Sequence, residues 1–275
     1  MVEQTLPDVR PGLTVGLSIS VSEDLPRHGL IETHTRMALA EIARAVLVAD
    51  GRLVYGGHLH HDGYTTFLVR EMERLGRRDR PFVGYVPWSV HRRMHTDEIS
   101  DRIEHLSILG AYSFLDERGI EIDPYEGRPS GPQEVEPSTE RAGLTAARET
   151  MARAIDGRVA LGGKRETYGG RMPGVIEETL YAIRDGKPVY IAGGFGGAAA
   201  DMVNALGIDS DNWLGVELAL SPHIEELLDV ARSAGWELTT NGLTADENQR
   251  LAITYRASEV AYLFVTGLSR LSDEP

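Results

Sequence analysis

Apolar and polar positions along this chain follow two rhythms that keep changing places. Thr14 to Ser20 is a compact apolar run that predicts a first strand, followed by a loop holding Pro26 and Gly29. Leu39, Ile42, Ala43 and Val46 then recur at helical spacing, which predicts a helix over Glu32 to Val48. Arg52 to Tyr55 reads as a second strand ending in Gly56-Gly57, Thr65 to Leu75 as a helix, and Pro81 to Val86 as a third strand. Strands and helices that alternate at such short intervals predict a parallel sheet with helices on both faces.

The middle of the chain is less regular. Asp97 to Glu104 reads as helical and Leu106 to Leu115 as a strand. Asp123 to Ser138 holds Pro124, Pro129, Pro132 and Pro137 and is expected to be a loop or partly ordered excursion. Ser138 is the expected N-cap of a helix running to Ile155. The alternation then returns: a strand over Arg158 to Leu161 ending in Gly162-Gly163, a helix opening at Pro173, a strand over Pro188 to Ala192 ending in Gly193-Gly194, and a helix from Gly197. Further helices are expected near Ile224 to Ala234 and at the C-terminus, where Val260, Leu263, Phe264, Leu268 and Leu271 form a stripe. The fold class is α/β: a Rossmann-like, doubly wound, mostly parallel sheet, read as a single domain over residues 1–275.

Composition narrows the function classes. The 0 cysteines exclude disulfides and thiolate chemistry. Met1 to Gly12 has acidic residues and no apolar run, so it does not read as a signal peptide, and no apolar stretch is long enough for a membrane span. A cytoplasmic location without a membrane partner is the expectation. The formal net charge of -14 argues against nucleic acid as a partner, because a phosphate backbone needs a basic face. A small phosphorylated ligand remains open, since backbone amides at a helix start bind anions whatever the global charge.

Candidate chemistry collects at strand ends. Ser18 and Ser20, Gly56-Gly57, Gly162-Gly163 and Gly193-Gly194 all follow strands, and in an open parallel sheet those ends share the edge where ligands bind. The richest stretch runs from Gly162 through Lys164, Arg165, Gly170, Arg171, Pro173 and Gly174 to Glu177 and Glu178. It sets a cationic, glycine-dense loop directly before a helix, where free amides and the dipole favour an anion. Arg171 is expected to add a bidentate phosphate contact, and Glu177 and Glu178 either to complement the helix dipole on a solvated face or to supply a carboxylate that holds ribose hydroxyls or supports an oxocarbenium-like centre.

The segment Gly170-Arg171-Met172-Pro173-Gly174-Val175-Ile176-Glu177-Glu178, with the glycine pair before it and Gly193-Gly194-Phe195-Gly196-Gly197 after it, resembles the SLOG superfamily over roughly Leu13 to Leu206. That group includes LOG phosphoribohydrolases, whose loop reads P-G-G-x-G-T-x-x-E, and ligand-sensing members such as the C-terminal domain of Thoeris antiphage NADase effectors. On the enzyme pattern, Gly174 matches the glycine before threonine and Glu178 the functional glutamate. Val175 stands where the enzymes carry threonine, and Arg171-Met172-Pro173 replaces their Pro-Gly-Gly run. These departures resemble the sensor branch. The resemblance therefore implies a nucleotide-derived ligand of the NAD-derived or cyclic ADP-ribose kind, a role in antiphage defence, a homodimer or larger homo-oligomer, a separate effector chain, and no cofactor. It leaves open an N-glycosidase or phosphoribohydrolase in which Glu178 is catalytic.

Other motifs carry less. Gly194-Phe195-Gly196-Gly197-Ala198-Ala199 fits a dinucleotide fingerprint but comes late in the chain. The run Gly157 to Lys164 approaches a P-loop but has Gly163 where the lysine belongs, and Gly16 to Ser20 lacks the second glycine of a nucleophile elbow. His58, His60, His61 and Asp62 have some metal-ligand character, yet phosphate contacts or solvent exposure suit them better, and no metal is expected. Tyr85 and Trp88 are candidates to stack on a base, and equally good core residues.

Overall fold

The computed structural model describes residues 12–57, 59–60, 62–76, 81–129, 131–209, 211–215 and 221–272. Six strands, β1 (Thr14–Ser20), β2 (Arg52–Gly56), β3 (Phe82–Val86), β4 (Gly110–Phe114), β5 (Gly157–Gly162) and β6 (Val189–Ala192), form one sheet in the order β4-β3-β2-β1-β5-β6. Every pairing is parallel, as the alternation of elements requires. The fold is the Rossmann-like doubly wound α/β architecture expected from the pattern.

The two-residue period of the strands sorts their side chains between two helical layers. Leu17, Ile19, Leu53, Val159, Leu161 and Tyr190 pack toward α1 (Glu32–Val48), α2 (Tyr64–Leu75) and α10 (Ala257–Ser272). Ala160, Val189 and Ile191 face α6 (Gly174–Arg184), α7 (Gly197–Ala205) and α8 (Pro222–Ser233), and Val54 meets Met151 of α5 (Pro137–Arg153). The short helices α3 (Trp88–Arg92) and α4 (Thr96–Leu106) lead from β3 to β4, and α9 (Ala245–Ile253) joins α8 to α10. Among the described residues, no helix is long and apolar enough to cross a membrane.

Several local expectations are corrected. Leu106 to Leu115 is not one strand: α4 runs through Leu106, a 3-10 turn takes Ser107–Leu109, and β4 begins only at Gly110. Ser107 sits at φ 39°, which breaks the extended path before that point. The helix expected to be capped by Ser138 starts two residues earlier, with Pro137 in its first turn and Glu136 as the cap residue. Proline suits that position because its missing N–H has no helical acceptor there. Trp88 lies beyond β3 and opens α3. The Pro-rich excursion is tied down as well: Arg128 donates to the carbonyls of His91 and Met94, and Gln133 N–H to that of Arg92 at 2.8 Å. It thereby fixes α3 beside the carboxyl ends of the strands.

Candidate functional site

Strand order reverses between β1 and β5, and at such a switch point the two loops leaving the sheet diverge and open a crevice. A cavity of about 220 Å³ lies there, lined by Ser20 of β1, Tyr55, Gly56 and Gly57 from β2, Arg148 and Met151 of α5, Lys164 and Tyr168 of the loop after β5, and Gly174 and Glu178 of α6. The loop can leave the sheet as it does because Gly162 and Gly163 hold φ of 65° and 102°. A Cβ at Gly162 would stand 2.5 Å from the Ser20 carbonyl oxygen, so the close approach of β1 and β5 requires glycine. Gly163 then receives the chain into its place: its N–H donates to Ser20 O at 3.0 Å and its carbonyl accepts from Ala198 N at 3.1 Å.

Beneath the cavity lies a buried polar cluster. Glu178 Oε2 accepts from Ser18 Oγ at 2.5 Å and from Arg158 Nη1 at 2.8 Å, and the same Arg158 nitrogen donates to Ser18 Oγ at 2.6 Å. Arg158 is 1% exposed. Register explains how a guanidinium fits inside a central sheet: Arg158 pairs with Gly16 on β1, and a Cβ at Gly16 would stand 3.2 Å from Arg158 Cζ. Burial pushes the Arg158 pKa down, and the Glu178 charge opposes the shift. Arg158 Nε and Nη2 have no hydrogen-bond partner among the described residues. Burial also raises the Tyr55 hydroxyl pKa far above its ordinary value, with Glu178 adding to the effect, so Tyr55 faces the site as a neutral phenol.

A second carboxylate organises the wall. Glu177 is fully buried, accepts from Thr145 Oγ1 at 2.6 Å and pairs with Arg148. Arg148 Nε also lies 3.9 Å from Glu178 Oε1, so one guanidinium reaches both glutamates. Gly170 and Gly174 make room for it, since a Cβ at Gly174 would sit 2.8 Å from Arg148 Nη2. Gly174 and Val175 line the cavity at the start of α6, where the first amides of a helix have no intrahelical acceptor. Arg148, Lys164 and this helix start thus face one carboxylate across a small space whose other wall is apolar (Ile19, Leu144 and Met151).

The structure brings together Ser18, Ser20, Gly56, Gly57, Gly174 and Glu178, and it sets Gly162, Gly163, Gly170, Pro173 and Glu177 immediately behind them as shaping residues. It does not bring the rest. Arg171 is held by Glu226 at 2.6 Å and lies 3.4 Å from Glu177, so its guanidinium faces α8 rather than the cavity. Arg165 is clamped between Asp24 at 2.7 Å and Asp201 at 2.8 Å. Gly193, Gly194 and Phe195 are fully packed: a Cβ at Gly194 would overlap the Thr254 carbonyl and stand 2.7 Å from that of Ile253. Trp88 lies under the Arg92 guanidinium at 3.8 Å, and Tyr85 packs near Val54 and Met151, so Pro87 and Val90 border the cavity instead. His58 and His61 fall outside the described residues. His60 lines an adjacent cavity, and among the described residues no group of three or more His, Asp or Glu side chains could hold a metal ion.

Sequence reasoning missed Arg148, Arg158, Tyr55 and Tyr168. Arg148 had a visible signal: it shares a helical face with Leu144 and Met151, at i+4 and i−3. The partners of Arg158 are Ser18 on a neighbouring strand and Glu178 on α6, a pairing made by the fold, for which the linear sequence carries no marker.

Residues 10–251 match the profile of a family described as SLOG cluster 2. No curated protein matches the chain.

Proposed function

The chain belongs to the SLOG cluster 2 family, and from that premise we propose that the cleft at the β1/β5 switch point binds a nucleotide-derived signal molecule. Membership indicates a nucleotide-related function. The observation that carries the finer reading is the pairing, in one cavity, of an anion-binding edge with a single carboxylate. The amides at the start of α6, Arg148 and Lys164 suit a phosphate, because charge-assisted bonds from guanidinium and helix amides are the strong ones. Glu178 Oε2 is occupied by Ser18 and Arg158, which leaves Oε1 to accept from ribose hydroxyls. Ile19, Leu144 and Met151 offer an apolar surface for a base.

Within this reading the protein is a sensor. Val175 supplies no hydroxyl at the phosphate loop, and the loop is fastened to neighbouring helices by Arg165–Asp201, Arg171–Glu226 and a Tyr168 hydroxyl to His223 Nε2 contact of 2.9 Å. A ligand that shifts the loop would be felt at α7 and α8 through those links, which is how differential binding selects one state. We extend the proposal to a homo-oligomer whose state changes with ligand and that signals to an effector chain in antiphage defence.

Hydrolysis is the second reading, and the fixed Glu178 carboxylate favours it, because a pre-oriented carboxylate beside a ribose is also what N-glycosidic cleavage needs. One experiment separates them. The protein is incubated with nucleoside monophosphates and NAD-derived cyclic nucleotides, binding is followed by calorimetry, free base by chromatography and oligomer size by native mass spectrometry. Binding and a change of size without free base are expected. Free base made by the wild type and lost in Glu178→Gln would replace the sensor by a hydrolase.

A further inference from the structure

The cleft has a neighbour. A second cavity of about 470 Å³ adjoins it at Val90, which lines both. Two segments run from one to the other. The end of β2 and the loop after it give Gly56 and Gly57 to the first cavity and Leu59 and His60 to the second. The α3 segment gives Pro87 to the first, then Ser89 and, just past its end, Arg93 to the second.

The charges of the second cavity differ in how far they are committed. Arg93 is bound by both oxygens of Glu140, at 2.7 and 2.9 Å. Glu98 Oε2 accepts from the His95 N–H at 2.9 Å, as part of the start of α4. Arg102, on α4, is only partly exposed and makes no hydrogen bond or ion pair with any described residue. Around the first cleft, Arg148, Arg158, Arg165 and Arg171 each have a carboxylate partner. In a chain of net charge -14, an uncommitted guanidinium in a concave site beside apolar Leu59 and Met94 is a receptor for an anion.

We infer that this cavity is a second subsite, with Arg102 selecting ligands that carry a second phosphorylated unit. The inference rests on the nucleotide reading of the first cleft and narrows it: the ligand class is a two-part nucleotide joined through a pyrophosphate or phosphodiester. Size agrees. The first cavity, at about 220 Å³, is smaller than the ~300–1,000 Å³ usual for ligand pockets, and the two adjoining cavities together fall within that range.

The test is calorimetric titration of wild type and Arg102→Ala with two probes, AMP and ADP-ribose. The wild type should bind ADP-ribose about tenfold or more tightly than AMP, and Arg102→Ala should lose about tenfold on ADP-ribose while its AMP Kd moves less than about twofold. The retained AMP binding then also reports an intact fold. Unchanged ADP-ribose affinity in the variant, with AMP bound by both proteins, overturns the second subsite and leaves the first cleft standing. A parallel loss of both probes in the variant overturns it too, because Arg102 would then act on the first cleft or on the fold. A wild type that binds neither probe overturns both readings.

Discussion

β5 and β6 lie side by side, each ends in a glycine pair, and the chain leaving them meets different surroundings. After β5, Gly162 and Gly163 release a loop that borders an open cavity and returns at Gly174. After β6, Gly193 and Gly194 are closed over by the carbonyls of Ala252 and Thr254, where α9 passes into α10. In both places glycine permits a close approach of the chain's own backbone, from β1 at the β5 end and from the C-terminal helices at the β6 end. A doublet after a strand therefore marks a crowded backbone, and the topology of the later elements decides whether a cavity is left open beside it. The two ends also differ chemically. The β5 end gathers guanidinium and carboxylate groups under a cavity, whereas the β6 end is covered by Leu214, Val203 and the backbone of Ala252.

The largest effect is expected where the comparison is electrostatic. Glu178→Leu leaves the buried Arg158 guanidinium with Ser18 as its partner, and removing one member of a buried pair costs about 3–5 kcal/mol. Denaturant unfolding should show that loss, and the double variant Arg158→Met/Glu178→Leu should recover most of it. A double variant no more stable than Glu178→Leu would mean that the pair is not the unit of stability at this end of the sheet.

Steric substitutions come next. Gly194→Val should cost about 1–3 kcal/mol by overpacking rigid backbone, seen as a lower Tm. Gly174→Val meets only the end of the Arg148 side chain, which can move, so it should keep more of its stability and lose nucleotide binding in a thermal-shift titration. If the two variants changed places, the assignment of cleft and packed end would be reversed.

Binding divides the arginines in the same way. Arg148→Ala should weaken nucleotide binding by about 1.5–3 kcal/mol, the range for a charged hydrogen bond, and Thr145 remains to satisfy part of Glu177. Arg171→Ala should cost less than about 1 kcal/mol in calorimetry, because its guanidinium already belongs to Glu226 on a half-exposed surface.

The smallest effect concerns the cover over β6. Glu247 starts α9, and its hydrogen bond from Arg270 of α10 holds its pKa down at about 2 despite some burial. A carboxyl depressed in the folded state contributes stability that is present above its unfolded value and is lost as pH falls through the folded one. Acidification from about 4.5 toward about 2 should therefore loosen α9 from α10, by less than about 1 kcal/mol for so exposed a pair. Hydrogen-exchange protection at Tyr190 to Gly194, corrected for the intrinsic pH dependence of amide exchange, should fall over that window in the wild type and stay flat in Glu247→Gln.

Much of the frame could be read from periodicity. The helix over Glu32 to Val48 and the strands ending at Gly56, Gly162 and Ala192 appear where alternation and spacing put them, because each is long or buried enough for its pattern to dominate. The helix α9 escaped although Thr244 and Glu247 form a capping box, since its short apolar stripe (Leu251 and Ala252) is weak beside its charges. In the site, glycines and Glu178 were legible because a loop before a helix has a local signature. Arg171 and Arg165 looked like ligand contacts for the same reason, and their carboxylate partners, Glu226, Asp24 and Asp201, come from distant parts of the chain. Arg148 and Arg158 were hidden for the complementary reason: what makes them part of the site is tertiary proximity.

The arginine laid across Gly16 also ties together the histories of several positions. A side chain at residue 16 would run into Ile155 at 2.8 Å and the guanidinium at 3.2 Å, the guanidinium needs Glu178, and Ser18 joins the two. Each single step away from this quartet either strands a charge or fills occupied space. Drift can therefore move the four residues together or hardly at all, and losing the arginine alone would not release the glycine, which Ile155 still holds in place.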